Sequence, residues 1–119
     1  MAYDPNNIFA RILRGEIPCN KVYEDDFALA FHDINPQAPT HVLVIPKGAY
    51  VSMEDFSANA GEAEIAGLFR AVGKVAAMTG ATAEGWRMLA NTGAHGGQEV
   101  PHLHIHVFAG RKLGPMLAK

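Results

Sequence analysis

The chain has 119 residues, 49% of them hydrophobic, enough for one compact core and too short for two, so residues 1–119 are read as a single domain. Ten Lys and Arg against twelve Asp and Glu give a formal net charge of −2, without the basic patch or stripe of an extended nucleic-acid surface. Cys19 is the only cysteine, which excludes an internal disulfide and a cysteine-rich zinc site.

Residues 6–14, NNIFARILR, pair an Asn cap with apolar Ile8, Phe9, Ile12 and Leu13, the pattern of a short amphipathic helix closed by Gly15. KVYE at 21–24 and FALAFHDI at 27–34 read as strands, joined by a hairpin turn at Glu24-Asp25-Asp26. After Pro36 and Pro39, THVLVIP at 40–46 is β-branched and almost wholly apolar, as in a strand buried on both faces.

A long helix is expected over 60–79. Asn59 is its predicted cap, Glu62 its capping-box partner and Gly80 its left-handed terminator. GWRMLAN at 85–91 reads as a strand, TGAHGGQEV at 92–100 as a Gly-rich loop and PHLHIHVFAG at 101–110 as the final strand. Residues 111–119 read as a tail that docks on the domain. The order predicts an α+β fold: a five-stranded antiparallel sheet with one long and one short helix. No apolar run reaches the roughly 18 residues needed to span a bilayer. The opening Met1–Asn7 is polar and acidic, where a signal peptide would be basic and then apolar. Cytoplasmic residence, with no membrane partner, is the expectation.

His102, His104 and His106 alternate with Leu103, Ile105 and Val107, so in a strand the imidazoles share one face and the aliphatics the other. One exposed histidine would be unremarked. Three in register gain nothing for stability and repel one another when protonated, which points to a site. Repulsion between charges about 6.5 Å apart amounts to about two pKa units, so a neutral middle imidazole beside a protonated neighbour is expected. Such a pair supplies a phosphorus nucleophile and an acid.

The glycines Gly93, Gly96 and Gly97 precede this strand and allow backbone N–H groups to converge on an anion, with Asn91 offering an amide nearby. No Walker lysine is present. Asp33, at a strand end, is either a turn residue or an acceptor for ribose hydroxyls. Three histidines spaced along one strand cannot converge on one zinc ion, but two of them with His41 or Asp33 could, which leaves a zinc hydrolase as the alternative. A nucleotide-binding scaffold with little catalysis would carry the same motifs.

The run His102-Leu-His-Ile-His106-Val107 resembles the His-X-His-X-His-X-X signature of the histidine triad (HIT) family. AFHDINPQAPTHVLVIPK at 30–47, NTGAHGGQEVPHLHIHVFAGR at 91–111 and the opening NNIFARILRGEIP at 6–18 extend the resemblance over about 5–113, closest to the family's Hint branch. The resemblance implies a metal-free purine nucleoside phosphoramidase that needs no cofactor and cleaves adenosine or guanosine 5′-phosphoramidates and aminoacyl adenylates. It makes His104 the nucleophile on the α-phosphorus, has His106 contact the phosphate, and sets His102 behind the nucleophile in a relay with His41. Asn91 with Gly97, Gln98 and Glu99 would line the phosphate, and Asp33, with backbone help at Ile34, would bind the ribose. Ile8, Phe9, Phe31 and Ile34 would form the purine slot. Some relatives have Ser at the position of Glu99, and the tail RKLGPMLAK lacks a Trp found in some eukaryotic ones. The resemblance further implies a homodimer whose two sheets join into ten strands.

Overall fold

The computed structural model describes residues 2–118, so the two end residues of the 1–119 domain lie outside the described residues. Five strands form one antiparallel sheet: β1 (Lys21–Glu24), β2 (Ala28–His32), β3 (Thr40–Pro46), β4 (Arg87–Leu89) and β5 (Ile105–Ala109), in the spatial order β1-β2-β3-β5-β4. The β1–β2 hairpin turns at Asp25, whose carboxylate accepts the N–H groups of Phe27 (2.8 Å) and Ala28 (2.9 Å). Every β3 residue after Thr40 is buried, as its two-sided apolar pattern requires.

The two faces of the sheet have different covers. On one, Ala28, Ala30, Val42, Val44, Leu103, Ile105 and Val107 pack with Phe56 and with Leu68, Ala71, Val72 and Val75 of helix α3 (Glu62–Met78). On the other, Leu29, Phe31, Leu43 and Ile45 meet Phe9 of helix α1 (Ile8–Leu13). Only this second face is thinly covered, by six residues of helix, and that leaves room for a cleft. Asn7 caps α1 by accepting the Ala10 N–H at 2.9 Å and donating to the Asp4 carbonyl at 2.7 Å.

Three sequence expectations are corrected. Asn59 does not cap the long helix. It is the last residue of a further helix, α2 (Met53–Asn59), and donates to Asp55 at 2.8 Å. The long helix starts at Glu62 after Gly61, whose N–H is accepted by Glu64 at 3.2 Å. Four residues of the Gly-rich loop close a single helical turn, α4 (Gly93–Gly96), so the sheet carries four helices where two were expected. The last strand begins at Ile105, four residues later than predicted, because 101–104 has no ladder partner; the Leu103 N–H goes to the Tyr50 carbonyl (2.8 Å).

Side-chain alternation nevertheless persists through 102–104, with Leu103 on the α3 face and both histidines beside Phe9. At the far end of β5, Gly110 takes φ +100°, and a β-carbon there would stand 2.6 Å from Pro39, so no other residue fits the exit from the strand. The described part of the tail docks by its backbone: Arg87 donates to the carbonyls of Gly114 (2.9 Å) and Pro115 (3.3 Å), while Met116 and Leu117 stay exposed. No described helix is long and apolar enough to cross a membrane.

Candidate active site

A cleft of about 720 Å³ opens between α1, the end of β2, α4 and the segment leading into β5. Its wall brings together ten of the predicted residues: Ile8, Phe9, Phe31, Asp33, Ile34, Asn91, Gly97, Glu99, His104 and His106. The wall also includes Ile12, Val100 and the run Ile17–Asn20, which sequence reasoning did not mark because nothing distinguishes them from ordinary core and loop residues. Ile34 is 88% exposed, an aliphatic side chain held on the cleft rim rather than in the core. No Lys or Arg lines the cleft among the described residues, so an anion there meets neutral donors beside the carboxylates of Asp33 and Glu99.

The protonation of the central histidine follows from its partners. His104 Nδ1 lies 2.7 Å from the His102 carbonyl oxygen. A carbonyl only accepts, so Nδ1 carries the proton and Nε2 holds a free lone pair. That Nε2 makes no hydrogen bond among the described residues and is not sealed from solvent, although the residue as a whole is buried. The Phe9 ring meets the imidazole edge-on, with centroids 4.9 Å apart. Burial pushes the His104 pKa down, against its hydrogen bond to the His102 carbonyl and the charges of Asp33 and Glu99, which raise it.

His41 pairs with His106, not with His102. Buried His41 sits on β3, two residues from Leu43, the register partner of His106 on β5, and its Nε2 lies 2.9 Å from His106 Nδ1. The Gln37 N–H donates to His41 Nδ1 at 3.1 Å, which fixes the direction of the chain. His41 must then donate from Nε2, His106 must accept at Nδ1, and the His106 proton stands on Nε2. His106 Nε2 is the one buried side-chain nitrogen or oxygen without a hydrogen-bond partner among the described residues. A buried donor left open beside a cleft is costly unless a ligand completes it. The Asp33 carboxylate stands 3.5 Å from His41 Nε2 and accepts the Asn35 N–H at 2.8 Å, so it serves the turn and faces the site together.

His102 stands apart. Its ring is fully buried, not on the cleft wall, and both nitrogens are occupied: Nε2 donates to the Pro46 carbonyl (2.9 Å) and Nδ1 accepts from the Tyr3 hydroxyl (2.6 Å). Its carbonyl, rather than its imidazole, reaches His104. A protonated neighbour for His104 is also overturned. Burial pushes His102 and His106 down to about 4 and lowers His41 and His104, so all four rings are neutral near pH 7. Desolvation, not the mutual repulsion inferred from spacing, is the larger cause.

The Gly-rich loop is braced internally more than expected. Gln98 does not line the cleft. Its amide donates to the carbonyls of Val51 (2.7 Å) and Val100 (3.0 Å) and accepts the Gly93 N–H (3.2 Å). The N–H groups of Gly97 and Gln98 are likewise used within the loop. Gly97 itself, at φ +75°, carries the chain past α4 on the cleft wall. Asp33, His41 and His106 are the one group of three His, Cys, Asp or Glu side chains, among the described residues, with ligand atoms near enough to share an ion, all within 4.8 Å of one another. His41 Nε2 and His106 Nδ1 are already hydrogen-bonded to each other.

A cleft beside three alternating histidines that lead into the last strand of a five-stranded antiparallel sheet fits the histidine triad class, and the HIT domain family model matches residues 14–113. The chain belongs to the HIT family. Among its relatives, an uncharacterised 13.2 kDa HIT-like protein of Azospirillum brasilense is 75% identical over 98% of this chain and 96% of its own length. The purine nucleoside phosphoramidase of Escherichia coli is 47% identical, over 93% of this chain and 92% of its own length. A histidine triad protein from Clostridium difficile superposes with a TM-score of 0.84 at 42% identity, covering 98% of this chain and 100% of that one.

Proposed function

We propose that the protein is a metal-free purine nucleoside phosphoramidase in which His104 Nε2 attacks the α-phosphorus. The observation that carries the reading is the bond from His104 Nδ1–H to the His102 carbonyl, which leaves the Nε2 lone pair open to the cleft. An in-line displacement needs mainly positioning and charge stabilisation. The open Nε2–H of His106 meets the phosphate oxygens, and Ile8, Phe9, Phe31 and Ile34 form an apolar slot for the base. Asp33 accepts from the ribose. As the Nε2–P bond forms, the P–N bond breaks and the amine departs with a proton from the His41–His106 pair, which takes one back from the water of the next step. Water then cleaves the Nε2–P bond, releases the nucleoside monophosphate and restores His104. A phosphoramidate anion beside the His41–His106 pair raises its proton affinity, so the acid arises with substrate rather than before it. The 47% identity to the Escherichia coli purine nucleoside phosphoramidase supports this reading. The absence of Lys and Arg from the described cleft wall favours a singly charged phosphorus centre over a polyphosphate.

The test is hydrolysis of adenosine 5′-phosphoramidate, with mass-spectrometric trapping of a nucleotide on His104. Turnover is expected to survive treatment with a chelator. Its loss, with recovery on adding zinc, would instead favour an ion on Asp33, His41 and His106. Zinc-bound nitrogens stand about 3.3 Å apart on a tetrahedral ion, so that ion would have to displace the His41–His106 hydrogen bond. Binding of the nucleotide with no turnover of any phosphoramidate would leave the scaffold reading.

The proposed enzyme is a homodimer. β4 lies at an open edge of the sheet, and Met88 on it, with Phe69 and Met78 on α3, exposes apolar surface at 42%, 40% and 59%. Sedimentation is expected to give twice the 12.8 kDa chain mass; a monomer at micromolar concentration would overturn it.

A further inference from the structure

We infer that Tyr3 is a positioning residue for the nucleophile, acting through His102. This rests on the phosphoramidase reading for its effect on rate, though not for its effect on geometry. The carbonyl that orients His104 belongs to a residue outside the sheet, since β5 begins only at Ile105. No ladder holds it. Instead the segment is pinned by the Leu103 N–H on the Tyr50 carbonyl and by the two ends of the His102 ring.

One end of that ring donates to the Pro46 carbonyl at 2.9 Å, so Nδ1 at the other end is an acceptor with one possible tautomer. The Tyr3 hydroxyl fills it at 2.6 Å, across 99 residues of sequence, and its ring meets the imidazole edge-on with centroids 5.6 Å apart. The relay therefore runs from the Tyr3 hydroxyl to the His102 ring, then through the His102 backbone to the His104 Nδ1–H. Without the hydroxyl, a fully buried acceptor loses its partner. The ring is then held at Nε2 alone and is freer to shift, so the His102 carbonyl holds the His104 proton on Nδ1 less firmly.

Three proteins would be compared: wild type, Tyr3→Phe and Tyr3→Ala. Tyr3→Phe keeps the ring and removes only the hydroxyl, so its fold is expected to persist, checked by its thermal midpoint. We expect kcat for adenosine 5′-phosphoramidate to fall about tenfold in both variants at nearly unchanged KM, the loss of one well-placed hydrogen bond. Imidazole ¹⁵N spectra should show His104 wholly as the Nδ1–H form in wild type and as a mixture of tautomers in Tyr3→Phe. A role in packing alone predicts Tyr3→Phe like wild type in both readouts and only Tyr3→Ala impaired, which would overturn the proposal. So would a His104 that stays wholly Nδ1–H in Tyr3→Phe, whatever the rate. A wild type that does not turn over the phosphoramidate sinks the reaction assigned above and leaves the tautomer comparison to decide the role of Tyr3.

Discussion

Replacing His104 by alanine is expected to lower phosphoramidate turnover by on the order of 10³-fold or more while leaving AMP binding within a few-fold of wild type. The expectation separates two contributions that share one cleft. On the proposed reading, binding draws on Phe9, Phe31, Ile8 and Ile34 around the base, on Asp33 and on the His106 donor, all of them cleft residues left in place. Bond making draws on a single lone pair, because His106 Nδ1 and His41 Nε2 are turned to each other and both nitrogens of His102 are occupied. Neither His41, His102 nor His106 can take over the attack without breaking a buried hydrogen bond. The measurement is kcat by amine release and Kd by calorimetry on the same preparation. Turnover within tenfold of wild type would remove the nucleophile from the scheme; a matching loss of AMP binding would mean that the ring holds the nucleotide rather than attacking it.

Much of this site was legible in the chain because alternation is a local property. The spacing of Leu103, Ile105 and Val107 set the histidines on the opposite face, and that held although residues 101–104 are not strand. The almost wholly apolar run 40–46 gives β3 its bounds, because Pro39 before it and Lys47-Gly48 after it cannot continue such a strand. Helix α2 was encoded but unread: Ser52 and Asp55 stand at capping spacing, and the Ser52 hydroxyl accepts the Asp55 N–H. Asn59, a good cap by type, drew the long helix two residues too far forward.

What could not be read is what depends on long-range contact. Spacing along a strand gave the repulsion between histidines but not their burial, which is the larger effect on their protonation. It could not say that His41 faces His106 across β3 and β5, because that needs the register. Gln98 sits in a Gly-rich run and reads as a phosphate donor, yet its amide finds closer carbonyls at Val51 and Val100. Tyr3 carries no signal at all, its partner being 99 positions away.

The neutral histidines set an acid limit on the fold itself. His102 and His106 have an ordinary value of 6.5 in the unfolded chain and about 4 in the native one. Above pH 6.5 neither state binds these protons, and stability is at its full level. Between 6.5 and 4 the unfolded chain takes up protons that the native state refuses, so stability falls as pH falls, and below 4 the loss is complete. For fully buried His102 this amounts to about 2 kcal/mol at pH 5 and roughly 3 kcal/mol below pH 4. His106 adds a smaller amount because its ring is partly exposed, and the lowered values of His104 and His41 act in the same direction. The carboxylates held low by partners, Asp25 and Asp55 among them, lose their contribution only below their ordinary 3.8, so the interval from pH 6.5 to 5 belongs to the histidines. Against a typical total of about 5–15 kcal/mol, a loss of this size is large. Urea unfolding at pH 7.5 and pH 5 should show it as a lower midpoint at unchanged slope, with the His102 ring signals still in their neutral positions at pH 5. Equal midpoints at the two pH values would mean that these rings are hydrated enough to titrate normally, and the buried, neutral triad on which the nucleophile depends would have to be abandoned.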